Sequence, residues 1–263
     1  MEPADLMTNS MTQSTHAALI TGASGGIGAA TARQLAAQGR PVVLLGRRAP
    51  ELLAVAKQIQ DQGGTAHAVP GDVTQEDSVT EAIKAAEDLG GLQTLVANAG
   101  IMPLAPLEES DLNIWRQTVD VNLSGLLHCV HASLPLMLKQ KRGDIILISS
   151  VAGRQTFPEA SVYCATKAAV THFGDCLRVD LARRASEGGG HLRVGVVEPG
   201  IVMTELVDSI PHAPMRSAVE KFVNSVEEPL QPEDIAETIA WMVNAPPHVS
   251  INDVVIRPTA MTR

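Results

Sequence analysis

Tyr163 and Lys167 stand four residues apart in "SVYCATKAAV", and Tyr163 is the single tyrosine of a 263-residue chain. On a helix, residues i and i+4 share a face, so this phenol and this ammonium would open into one cleft. A free phenol has a pKa of about 10. A neighbouring cation favours the phenolate and moves that value toward the working range of a general acid or base. Thirteen residues upstream, Ser150 closes the apolar run "DIILISS". There its hydroxyl could donate to a carbonyl oxygen that gathers negative charge. Tyr-x-x-x-Lys alone is commonplace in helices, so its meaning depends on the sequence around it.

Near the start of the chain, "TGASGGIG" spans residues 21–28, directly after the β-branched run "AALIT". Glycines at such a turn allow a tight bend and close approach to a ligand, and the free N–H groups of the helix that follows attract a pyrophosphate. Gly22, Ser24, Gly26, Ile27 and Gly28 are therefore candidate dinucleotide contacts, although their spacing is not the G-x-G-x-x-G fingerprint. The next apolar run ends "LLGRR". NAD sites usually place an acid there for the ribose hydroxyls, whereas arginine accommodates a 2′-phosphate. With Gly46 in place of an acid and Arg47 and Arg48 following, the expected cofactor is NADP(H) rather than NAD(H).

The elements that must position these groups alternate regularly. Strands are expected over 17–21, 41–46, 66–72, 94–100, 144–150, 192–200 and 251–257. Helices are expected over 28–38, 51–62, 75–89, 110–139, 162–185 and 233–244. Such βα alternation with apolar strands implies an α/β fold, a doubly wound, parallel, seven-stranded sheet of Rossmann type with helices on both faces. Residues 16–263 read as one domain, because no linker or change of composition divides them. The stretch 201–232, with Pro211, Pro214, Pro229 and Pro232, reads as a substrate lid. Its Ile201, Met203, Leu206, Val207 and Met215 would line an apolar pocket.

Composition removes several function classes. A net charge of −9 argues against a nucleic-acid or anionic-membrane surface. Cys129, Cys164 and Cys176 are odd in number and lack metal-type spacing, so no disulfide framework or metal site is expected, and a reducing, cytoplasmic setting fits. Residues 1–15 are polar and acidic and read as a leader or alternative starts. No run of about 18 apolar residues suggests a membrane span.

With these pieces in place, the chain resembles the short-chain dehydrogenase/reductase superfamily from about Ala17 to Pro258. The family's T-G-x-x-x-G-x-G turn is matched by Thr21, Gly22, Gly26 and Gly28, with Ser24 where NADP-dependent members often contact the 2′-phosphate. Its acidic adenine contact after the third strand corresponds to Asp72, beside Val73. Its N-N-A-G motif appears as "ANAG", keeping Asn98, Ala99 and Gly100 but placing Ala97 where the first Asn would stand. The active-site Asn falls on Asn122, the catalytic Ser, Tyr and Lys on Ser150, Tyr163 and Lys167. The P-G turn falls on Pro199 and Gly200, with Val202 and Thr204 where the family closes over the nicotinamide and pyrophosphate.

The resemblance implies a carbonyl–alcohol interconversion with a small-molecule substrate. Tyr163 would act as general acid/base, Ser150 would polarise the carbonyl, and Lys167 would hold the nicotinamide ribose and lower the phenol's pKa. Asn122 would hold a water that resupplies the proton. It also implies a homo-dimer or homo-tetramer, for which Leu126, Val130, Leu177 and Leu181 read as outward apolar positions. The subgroup it suggests acts on 3-hydroxy acids, serine-like alcohols or small aldehydes. Arg154 and His212 could meet a substrate carboxylate but read more simply as exposed loop residues. Two alternatives stand beside this reading. One is a non-catalytic dinucleotide sensor on the same fold. The other is an epimerase or dehydratase, whose members are generally longer than this chain.

Overall fold

The computed structural model describes residues 16–261, so the expected leader at 1–15 lies outside the described residues. Seven parallel strands form one sheet: β1 (Ala17–Thr21), β2 (Val42–Gly46), β3 (Ala66–Pro70), β4 (Leu92–Ala97), β5 (Arg142–Ile148), β6 (His191–Pro199) and β7 (Asp253–Ile256). Their order is β3-β2-β1-β4-β5-β6-β7. β1, β2 and β4 are buried along their whole length, as a sheet covered on both faces requires. The helices are α1 (Gly26–Ala37), α2 (Ala49–Asp61), α3 (Glu76–Asp88), α4 (Leu112–Val119), α5 (Gly125–Gln140), α6 (Ser161–Ser186), α7 (Ala213–Ser225) and α8 (Pro232–Asn244). One core layer packs Leu19, Val43, Leu95, Ile145 and Val196 against α3, α5 and α6. The other packs Ile20, Leu44, Val96 and Ile146 against α1, α2 and α8. Strand order reverses between β1 and β4, and at such a switch point the loops at the carboxyl ends part to leave a crevice.

Three expectations are corrected here. The single helix over 110–139 is two helices joined by a π turn, Asp120–Ser124, where the wider spacing of the backbone lets Asn122 turn inward. The stretch 201–232 carries a helix missing from the expected set, α7, which opens where His212 accepts from the Met215 N–H as an N-cap and Pro214 falls in the first turn, where its missing N–H costs nothing. Leu126, Val130, Leu177 and Leu181 face inward, 5 %, 2 %, 9 % and 7 % exposed, and belong to the core under the sheet. They therefore give no argument for assembly. By length and composition the stretch Leu112–Gln140 is apolar enough to cross a bilayer. Even so, its Leu126, Cys129, Val130 and Met137 are buried in that core.

At the amino edge of the sheet, Arg193 on β6 lies opposite Asp144 on β5. Its Nε donates to Asp144 Oδ1 at 2.6 Å, and its other nitrogens donate to the carbonyls of Val243, Ala245, Pro246 and Val249. One guanidinium thus satisfies the end of α8 and the loop after it.

Candidate active site

The crevice is a cavity of about 470 Å³ that runs from the glycine turn to the α6 face. At one end β1 hands over to α1. Gly22 has φ +65° and Gly26 φ +50°, left-handed conformations that favour glycine. A Cβ on Gly28 would lie 2.4 Å from Gly22 O and 2.7 Å from Asn98 Nδ2, so only glycine fits under the turn. Asn98 Nδ2 donates to Thr21 O at 2.8 Å, and the Asn98 and Ala99 N–H groups donate to Thr21 Oγ1. Asn98 thereby braces the cradle although Ala97 stands where the family's first Asn would be.

The remaining cofactor candidates line the same cavity. Ser24, Gly26 and Ile27 lie on the cradle, Asp72 and Val73 after β3, and Asn98, Ala99 and Gly100 after β4. Pro199, Gly200, Val202 and Thr204 form the wall after β6. Arg47 and Arg48 stand at the end of β2. Arg48 Nε donates to Ser24 Oγ at 3.2 Å, and Arg47 lies 4.0 Å from Asp72. Asp72 Oδ1 also accepts from the Thr74 N–H and hydroxyl, so part of its capacity is spent on its own turn. These shapes and donors fit a dinucleotide: a Cβ-free cradle at a helix start, guanidiniums beyond it, and a hydroxyl pair at the far end.

At that far end β5 stops at Ile148, two residues earlier than expected. Ser150 caps a short 3-10 turn, Val151–Gly153, its Oγ accepting from the Ala152 N–H at 3.1 Å. Its hydroxyl proton is left for another partner, and Ser150 stands close enough to Tyr163 to draw the phenol's pKa down. Tyr163 and Lys167 share one face of α6, with Lys167 Nζ 5.8 Å from the ring centroid. That nitrogen donates to Ile148 O at 2.9 Å. Asn122 lies behind, spending Oδ1 on the Ile101 N–H and Nδ2 on Ile101 O and Thr166 Oγ1. A Cβ on Gly100 would sit between Asn122 Oδ1 and Lys167 Nζ, so the two groups flank one glycine.

The electrostatics correct the sequence reading. Burial pushes the Tyr163 phenol up to about 12; Ser150 beside it pulls the other way, and Cys164 adds to the rise. The ammonium does not offset this, because burial lowers Lys167 itself to about 8. Desolvation of the phenolate wins over attraction to a lysine whose own charge is costly here. Between pH 8 and the ordinary lysine value of 10.5, the unfolded chain holds a proton at this residue that the folded chain has lost. Stability therefore rises with pH across that window, by at most about 3 kcal/mol. Lys167→Met should flatten the rise between pH 8 and 9, below the pH near 10 at which the unfolded chain's tyrosine ionises and, with the folded phenol held at about 12, begins to pull stability down. Urea melts at stepped pH check this.

Several residues that the sequence did not single out belong to this site. Ser149 Oγ donates to Lys167 O at 2.8 Å and lies 2.9 Å from Thr171 Oγ1. Thr171 in turn donates to Glu198, which is fully buried and paired with Arg154. Strand alternation beside Ser150 was the available signal for Ser149; Glu198 had none. Neither Arg154 nor His212 is free for a substrate carboxylate, since His212 Nε2 lies 3.2 Å from Glu109. Of the expected apolar lining, Val207 and Met215 pack against the cluster that holds Tyr163. Tyr163 also lines a second cavity of about 290 Å³, bounded by Leu104, Ile114, Trp115 and Ala160.

A cavity built in this way at the switch point of a parallel sheet defines a dinucleotide-binding oxidoreductase. The sequence pattern of the short chain dehydrogenase family matches residues 16–214, and the chain belongs to that family. It is 36 % identical over 245 residues to an uncharacterised oxidoreductase of Staphylococcus saprophyticus, covering 93 % of this chain and 96 % of that one. Among solved structures it is similar to the closed form of a serine dehydrogenase complexed with NADP+. The TM-score is 0.84 at 29 % identity, over 94 % of this chain and 96 % of the other. It is also similar to a short chain dehydrogenase/reductase from Burkholderia phymatum in complex with NAD. There the TM-score is 0.81 at 27 % identity, over 91 % and 88 % of the two chains.

Proposed function

We propose that this oxidoreductase is NADP(H)-dependent and interconverts a carbonyl with a secondary or small primary alcohol, Tyr163 serving as general acid/base. One observation carries the reading. The Ser150–Tyr163 hydroxyl pair and Lys167 sit at one end of the same cavity whose other end is the glycine cradle with Arg47 and Arg48. When bound, the nicotinamide supplies or accepts the hydride. Tyr163, neutral at every working pH, holds a proton ready for a carbonyl oxygen placed beside it. Ser150 orients and polarises that oxygen with the hydroxyl proton it does not spend on its own turn. Lys167 binds the nicotinamide ribose, and Asn122 fixes the Ile101 backbone beside it and holds a water. Gly22 and Gly26 receive the pyrophosphate, with Gly28 packed beneath them to let the turn close, Asp72 and Val73 the adenine, and Ser24, Arg47 and Arg48 the 2′-phosphate. Val202 and Thr204 close from the opposite wall.

The fold and site support a small-molecule substrate, and the family relationship makes a purely sensory role the second reading. Assembly as a homo-dimer or homo-tetramer is proposed through exposed Leu127, Val179 and Trp241 instead of the buried positions. The free cysteines suit the cytoplasm. The test is loss of NADPH absorbance against a panel of aldehydes and ketones, with NADH in parallel. NADPH should give a kcat/KM at least about tenfold higher, the worth of a charge-assisted contact. NADH strongly preferred would overturn the cofactor assignment, and dinucleotide binding with no turnover would favour the sensor.

A further inference from the structure

The first turn after the P-G motif brings a carboxylate onto the cradle. Thr204 caps a 3-10 turn, Glu205–Ser209, accepting from the Leu206 N–H. This cap lays Thr204 and Glu205 across the glycines. A Cβ on Gly26 would touch the Thr204 side chain at 3.1 Å, and one on Gly25 would lie 2.5 Å from Glu205 Oε2 and 2.7 Å from an Arg48 nitrogen. Glu205 Oε2 lies 3.6 Å from Arg48, the same guanidinium that donates to Ser24. A negative group from the β6 side of the crevice thus rests where α1 presents its amides, paired with the cation that the β2 side offers.

We propose that Glu205 is a specificity-determining residue, standing in for the 2′-phosphate on Arg48 and so weakening selectively the binding of 2′-phosphorylated dinucleotides. The inference rests on the NADP(H) reading above. A phosphate dianion and the carboxylate compete for one guanidinium, and like charges at that distance repel, so Glu205 must swing away when the phosphorylated ligand binds. A dinucleotide with a free 2′-hydroxyl meets Glu205 only through the pyrophosphate that both ligands share, and it leaves the pair with Arg48 standing. Both side chains are about half exposed, which screens the pair and keeps the effect modest.

Isothermal titration of the full chain with NADP+ and with NAD+ tests this without turnover. Glu205→Gln should tighten NADP+ about fivefold and change NAD+ by under about twofold. In an Arg48→Gln background the same substitution should leave NADP+ within about twofold, because the shared partner is gone. An unchanged or weaker NADP+ affinity in Glu205→Gln, or equal tightening of both ligands, would overturn the proposal while the wild type still prefers NADP+. A wild type that prefers NAD+ would remove the cofactor reading, and this inference with it.

Discussion

Tyr163→Phe should lower kcat for carbonyl reduction by roughly 10²–10⁴-fold, the usual worth of a positioned general acid. Dinucleotide affinity should survive. The ring keeps its place among Leu104, Ala152, Ala160 and Ile210, and only the hydroxyl is removed. Because burial holds the phenol at about 12, the wild type has a protonated donor throughout the neutral range. Burial of Lys167, lowered to about 8, predicts an inflection of the reduction rate in that region that Lys167→Met should remove. Oxidation runs against the same burial and should keep rising with pH. Steady-state kinetics in both directions measure this, and a variant retaining a tenth of wild-type kcat would remove Tyr163 from the proton-transfer role.

A second large effect is expected far from the chemistry. Arg193→Met leaves Asp144 buried without its hydrogen-bonded cation, Arg40 and Arg142 acting on it only through charge, and strips four carbonyls of their donor. Breaking a buried pair from one side costs about 3–5 kcal/mol, so the melting temperature should fall by about 10 °C. The carboxyl is already pushed above the ordinary aspartate range by burial, against the pull of Arg193, and Asp144 Oδ2 has no partner among the described residues. Protonation therefore limits the loss, and adding Asp144→Asn should recover part of it. At 25 °C the folded variant should turn over normally, since this cluster lies at the opposite edge of the sheet from the crevice. A drop of less than about 3 °C would show that water replaces the guanidinium.

The parallel strands and the cradle were legible because their signals are local. β-branched runs, glycines at turns and a helix start after "TGASGGIG" each point to one arrangement. Helix ends agree within two residues for α1, α2, α3, α6 and α8. The π turn at Asp120–Ser124 was not legible, since its residues carry no breaker and α4 and α5 run on either side. Helix α7 was hidden by Pro211 and Pro214, read as loop markers when one of them opens the helix. Leu126 and Leu181 were misplaced because α5 and α6 press on the sheet through wider faces than a simple amphipathic stripe suggests. The Tyr163–Lys167 spacing was read correctly, but not the sign of the phenol's shift. Spacing brings two groups together, whereas burial comes from residues scattered between Leu104 and Ile210.

The π turn holds one residue more than ordinary winding would over the same span, so excising one position between Asp120 and Ser124 would straighten the join and leave α4 nearly in phase. Excising one between Trp115 and Asp120 has no such buffer and would spin the segment ahead of it by about 100°. Ile114 and Trp115, which bound the smaller chamber beside Tyr163, would swing off that wall. Indels in this stretch therefore remodel the room next to the reactive phenol without touching any residue in it, a route by which substrate preference could drift while the chemistry stays fixed.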